Sequence, residues 1–274
     1  MQIRGSITEY PTKSLFLSDM NSSPWLTLLG LAVAAQMLSC SGCNDPLPEG
    51  ESIVELGFGI EWDGEPFTIG ESGPDAEGRA VQLERFECYV SDFAILDSEE
   101  GWIDIDTVAR IDFSQANPFA TLTLPGDRDR TISAIRMGLG VPADRNVDVD
   151  PASYDDPDHP LGFKGSTGMH WGWAAGYIFS VYEGRLLTDP LIPFAYHAGA
   201  DTCFRTVELQ WDEPWILPFD GVATPSIVVD AYQCLHGAND VIDVPTDPET
   251  HTGNNLPLAI RWVDLYQQAW RVNP

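Results

Sequence analysis

The sequence predicts an all-β protein, an antiparallel β-sandwich or flattened barrel with long acidic loops, and three observations carry that expectation. Short apolar runs recur between clusters of Gly, Pro and Asp, several of them alternate with period two, and no helical crossovers separate them. The alternation is clearest in VQLERFECYVSDFAIL, where Phe86, Cys88 and Val90 oppose Tyr89, Ser91 and Phe93.

In chain order the candidate strands are IVELGFGI, VQLERFECYVSDFAIL, WIDIDTVARIDF, TISAIRMGLGV, MHWGWAAGYIFSVYEG, TVELQW and PSIVVDAYQCL. The last apolar run, Pro257 to Trp270, has the length and the lack of turn residues for one short C-terminal helix, and a strand fits it equally. Two polar segments interrupt the pattern: residues 144 to 160, DRNVDVDPASYDDPDHP, and residues 236 to 255, HGANDVIDVPTDPETHTGNN. Both are expected to be long loops, which in small domains tend to be functional or mobile.

Ahead of the strands, WLTLLGLAVAAQML (Trp25 to Leu38) is short for a bilayer span and has the character of a signal-peptide core. The Ser41-Gly42-Cys43 that follows looks like a lipobox, in which Cys43 is acylated and becomes the mature N-terminus. Cys40 is the weaker candidate, and Met20 is an alternative start. The expected organisation is a lipoprotein-type signal peptide (1–42), a polar tether (43–52) and a single β domain (53–274).

With 42 Asp and Glu against 14 Lys and Arg, the formal charge is −28. Such a surface repels nucleic acid and anionic membrane, so the lipid is the expected membrane contact; it could also steer a cation or a basic protein partner. Adaptation to a salty habitat is the simpler reading of the same charge. Export permits a disulfide, and Cys203 with Cys234 is the expected pair because both lie in the C-terminal third; three separate buried thiols, with Cys88, is the alternative. Among Cys88, Cys203 and Cys234 there is no CxxC, and no Cys/His zinc spacing accompanies them.

Asp144, Asn146, Asp148 and Asp150 have the alternating spacing of a calcium loop, but Val149 stands where the sharp turn needs glycine. The composition favours a solvated acidic loop over a Ca²⁺ site. In MHWGWAAGYIFSVYEG a strand would place Met169, Trp171 and Trp173 on one face and His170, Gly172 and Ala174 on the other. A Met-Trp-Trp row fills a core well; Glu183-Gly184 would be a turn. His197, in PFAYHAGADTC, falls at an expected strand end. No GxSxG, phosphate loop or HExxH is present, so hydrolase and nucleotide readings lack support.

Met169, Trp171, Trp173, Gly176, Tyr177, Phe179, Glu183 and Gly184 fill a pattern M-x-W-x-W-x-x-G-Y-x-F-x-x-x-E-G that resembles the MbnP-like family, exported copper-binding proteins first associated with methanobactin gene clusters. ERFECYVSDFAIL, ARIDF, MGLGVPADRN and YHAGADTC are similar to further family segments in the same order, so the likeness covers about residues 53 to 210.

The resemblance implies a non-enzymatic protein, periplasmic or associated with the outer membrane of a Gram-negative bacterium. It also implies an MbnH-like dihaem partner of the cytochrome-peroxidase type that oxidises a motif tryptophan, Trp171 or Trp173, to kynurenine, which with histidines binds one copper ion. His197 matches a family histidine. The family's other histidine position is occupied here by Val147, so His170, His159 and Met169 are the candidate substitutes. The contrasting expectation is a structural or calcium-stabilised surface lipoprotein that binds no transition metal.

Overall fold

The computed structural model describes residues 50–126, 128–172 and 174–273. The signal peptide, Cys43 and the tether through residue 49 therefore lie outside the described residues, as does Trp173.

The first strands are β1 (Gly50–Trp62), β2 (Glu65–Pro66), β3 (Ser72–Pro74), β4 (Ala80–Asp97), β5 (Gly101–Ile105), β6 (Ala109–Asp112), β7 (Phe119–Gly126) and β8 (Arg130–Leu139). A four-residue helix, α1 (Ala143–Asn146), leads into the acidic segment. Beyond it come β9 (His170–Gly172), β10 (Gly176–Tyr177), β11 (Ser180–Leu186), β12 (Ile192–Ala198), β13 (Arg205–Leu217), β14 (Val222–Ala223), β15 (Ser226–Asp230) and β16 (Glu249–His251). The last elements are α2 (Leu256–Gln268) and β17 (Trp270–Val272). Because β1 begins at Gly50, residues 50 to 52, assigned to the tether from sequence, belong to a strand.

The all-β expectation holds, with mixed rather than purely antiparallel sheets. In the smaller main sheet β1 pairs antiparallel with β7 and parallel with β14 and β15. The larger sheet runs β13-β8-β4-β11-β12-β16, and its last pair is parallel. Both exceptions join strands far apart in the chain, since only a long connection lets a strand return in the same direction.

Period-two burial is strict in β7, where Ala120, Leu122 and Leu124 are buried between exposed neighbours. The long strand β4 is buried on both sides: Phe86, Cys88 and Val90, but also Tyr89, Ser91 and Phe93. The Tyr89 hydroxyl donates to the carbonyl of Pro160 at 2.9 Å, so the acidic excursion after α1 forms a cover for the sheet. Its Leu161 and Met169 are fully buried, each side chain contributing about 1.5–3 kcal/mol by leaving water.

Helix, not strand, is the outcome for the C-terminal run, and its periodicity gives the reason. Leu258, Ala259, Trp262, Val263, Leu265 and Tyr266 make one buried stripe, while Asn255 caps the first turn by accepting from the Leu258 N–H. Trp262 stacks on Tyr266 at 5.1 Å and lies parallel to Tyr196 of β12 at 6.3 Å.

The expected Cys203–Cys234 disulfide is not formed: Cys88, Cys203 and Cys234 are all buried free thiols. Closeness in sequence did not bring the two together, because Cys203 sits in a single 3-10 turn after β12, whereas Cys234 follows β15 and hydrogen-bonds the Asp230 carbonyl. Burial pushes the Cys88 thiol up to about 12 and Cys234 well above its ordinary value, which keeps both protonated and unreactive.

Candidate metal centre

The site is a row of polar side chains running across four strands of the larger sheet. Its register sets Arg85 of β4 opposite Glu183 of β11, Val181 of β11 opposite His197 of β12, and His197 opposite His251 of β16. Residues two apart on a strand share a face, so Arg85, Glu183, His197 and His251 stand side by side.

Contacts follow this geometry. His197 Nε2 donates to Glu183 Oε1 at 2.6 Å, and the His197 and His251 rings meet edge to face with centroids 4.7 Å apart. The hydrogen bond from His197 is the main cause holding the Glu183 carboxyl below its ordinary range, with Arg85 adding to it. Arg85 in turn donates to Glu87 at 2.7 Å, and Arg110 grips the other Glu87 oxygen.

Glu183-Gly184 is not the turn expected from sequence but lies inside β11, where the β4 pairing shifts register. A Cβ on Gly184 would sit 2.2 Å from the Gln82 carbonyl oxygen, so glycine here serves a strand irregularity with close backbone approach.

His251 and Trp171 line one cavity of about 690 Å³ together with Val147, Gly199, Asp201 and Thr252. Trp171 is held half-buried against the bare backbone of Gly199. Thr252 ties the loop after His251 to this strand end, donating to the His197 carbonyl and accepting from the Gly199 N–H.

Asn146 fixes the opposite wall. Fully buried, it accepts from the Tyr177 N–H and donates to Asp201, both at 2.9 Å. Its oxygen is therefore engaged inside the fold, while Asp144 is exposed. Asp150 instead accepts from the Ala152 N–H at the start of a 3-10 turn.

Of the candidate copper ligands named from sequence, only His197 stands in this row. Met169 is buried with its sulfur 3.7 Å from the Arg85 guanidinium, a neighbour that disfavours a bound cation. His170 turns toward Tyr177, centroids 4.7 Å apart, with Nε2 buried and without a partner among the described residues. His159 stacks on Tyr154 at 4.4 Å and accepts from the Leu161 N–H through Nδ1. Burial lowers the pKa of both His170 and His159.

His251 is the residue that sequence reasoning missed. It lies in the segment taken as a polar loop, which contributes β16 to the sheet. Three residues, Glu249 to His251, are too few to show alternation, and their pairing partner lies more than fifty positions away in the chain.

Among the described residues no three His, Cys, Asp or Glu side chains form a ready metal cage. Two touching imidazoles beside an open cavity nevertheless suit copper, which heads the divalent series for nitrogen donors. A further donor would have to come from the cavity, whose aromatic wall is Trp171.

The sequence pattern of the family described as MbnP matches residues 51–252. Among solved structures the chain is similar to MbnP from Methylosinus trichosporium, at 18% identity over 70% of this chain and 80% of that one, with a TM-score of 0.48. No curated protein matches.

Proposed function

The chain belongs to the MbnP family, and on that footing we propose that it is an exported, lipid-anchored copper-binding protein that carries out no catalysis itself. One ion would be held by His197, His251 and the oxidation product of Trp171. The observation carrying this reading is that Trp171 and His251 line the same cavity while the His251 ring abuts His197.

Val147, which stands where the family resemblance places a histidine, is on the wall of that cavity. His251 supplies an imidazole to the same space from β16, so the substitution at 147 need not remove the second nitrogen ligand. Oxidative cleavage of the indole C2–C3 bond, with one oxygen added at each carbon, gives an N-formyl aryl ketone, and hydrolytic loss of C2 as formate then leaves an aromatic amine and a ketone, donors that two imidazoles alone lack. The oxidising equivalents would come from a dihaem partner of the cytochrome-peroxidase type, and Trp171, half-buried at an open cavity, is accessible to such a process. Long-range attraction to the acidic surface would speed the encounter with a basic face on that partner.

The test is peptide mass spectrometry on protein from its own organism, reading the tryptic fragment between Lys164 and Arg185. Kynurenine at Trp171 is expected. Unmodified tryptophan at both 171 and 173, in protein that had access to its partner, would overturn the reading in favour of a structural lipoprotein.

A further inference from the structure

We propose that Glu183 is the positioning residue of this site: its carboxylate takes the Nε2 proton of His197 as a hydrogen bond and so leaves Nδ1 as the nitrogen offered to a ligand. The inference rests on the copper reading for the ligand's identity, but the orientation is a property of the chain itself.

The geometry carries it in three steps. First, Glu183 Oε1 lies 2.6 Å from Nε2, and Nδ1 has no hydrogen-bond partner among the described residues. A carboxylate can only accept, so the proton resides on Nε2 and the Nδ1 lone pair is free in neutral histidine.

Second, Glu183 is itself held. Arg85 Nη1 lies 3.8 Å from the same oxygen, and the guanidinium is fixed by Glu87, which Arg110 also holds. Arg110 is anchored at its far end to the Gly165 carbonyl at 2.7 Å, so the chain of charges reaches the cover segment. Glu87 is buried, and two arginines on one buried carboxylate leave it little freedom.

Third, the backbone reserves the place. The irregularity at Glu183/Gly184 in β11 sets the Glu183 side chain diagonally across from His197, and glycine at 184 is what permits the close approach of Gln82 there. The Glu-Gly pair of the tryptophan pattern thus has a role in the site.

Carboxylates that orient ligating histidines typically change metal affinity by about 10–100-fold when removed. The experiment uses the full-length protein and its Glu183→Ala and Glu183→Gln variants. Nitrogen NMR on the metal-free proteins reads the His197 tautomer, and Cu(II) titration with electron paramagnetic resonance reads affinity and nitrogen coupling.

The expected result is an Nε2–H tautomer in the parent, loss of that preference in Glu183→Ala with about tenfold or more weaker copper binding, and partial rescue by Gln, whose carbonyl still accepts. An Nδ1–H tautomer in the parent, or a Glu183→Ala variant with unchanged tautomer and affinity, would overturn the proposal. Should the parent take up no copper, the copper reading fails by itself, and the tautomer in the metal-free protein still decides whether Glu183 orients His197.

Discussion

A methyl group on Gly199 would sit 2.8 Å from Cζ3 of Trp171 and 2.4 Å from the Tyr177 carbonyl oxygen. The indole of the tryptophan motif therefore rests on a backbone position that only glycine leaves open, two residues beyond His197. Gly199→Ala is expected to push Trp171 out of place and destabilise the fold by about 1–3 kcal/mol, the usual cost of overpacking. Denaturant melts with intrinsic fluorescence check this; a variant with parental stability and an unchanged tryptophan spectrum would refute the contact.

On the proposed copper reading, His197→Ala and His251→Ala should each weaken copper binding by more than the roughly 10–100-fold typical of outer-shell changes. His251 is exposed, so its removal should leave the melting temperature close to the parent's. Retained copper in His251→Ala, measured on dialysed protein, would return the second-ligand role to another histidine.

Asn146 and Gly176 lock together behind the cavity. Gly176 has φ +72°, and a Cβ there would lie 2.2 Å from Asn146 Oδ1, the atom that accepts from the Tyr177 N–H. Asn146→Ala would leave that buried N–H unpaired and is expected to cost about 1–3 kcal/mol. Gly176→Ala combines a clash with a left-handed backbone and should cost at least as much, roughly 2 kcal/mol or more. Urea unfolding of the two single variants and the double variant tests this; additive losses would show that the two positions are not coupled.

Acid should unfold the protein through its buried and paired aspartates. Burial works to raise the Asp97 pKa, but the Glu99 and Glu100 N–H groups and Arg128 together hold it below the ordinary value. Asp240 is lowered by Arg261, and Asp243 by Thr246 and Arg79. A pKa depressed in the folded state gives stability that is complete above the unfolded value and is lost as pH falls through the folded one. Stability should hold from neutrality down to the usual aspartate range and decline below it. Asp97→Asn should be less stable at neutral pH, with a shallower decline; an equal slope in parent and variant would remove Asp97 from the account.

Within the tryptophan motif the sequence was legible at some positions and misleading at others. Met169 is buried, as an apolar row in a core requires, yet its face turns to Arg85 rather than to the cavity that Trp171 lines. The strand β9 is only three residues long and ends at Gly172 with φ +119°, so ideal alternation does not extend along the motif. Glu183-Gly184 has the composition of a turn, and local composition cannot distinguish a turn from a bulge inside a strand.

The sequence by itself determined the strand-rich class and the family, because alternation and a long motif are properties of neighbours along the chain; for the C-terminal run it left helix and strand open. Only the tertiary structure decided that His251 stands beside His197, that Glu183 faces His197, and that Cys203 and Cys234 stay apart. Each of these depends on which distant strands pair and in what register. A shift of one residue in the β12–β16 pairing would turn His251 to the opposite face, and nothing in the local pattern of Glu249 to His251 encodes that choice.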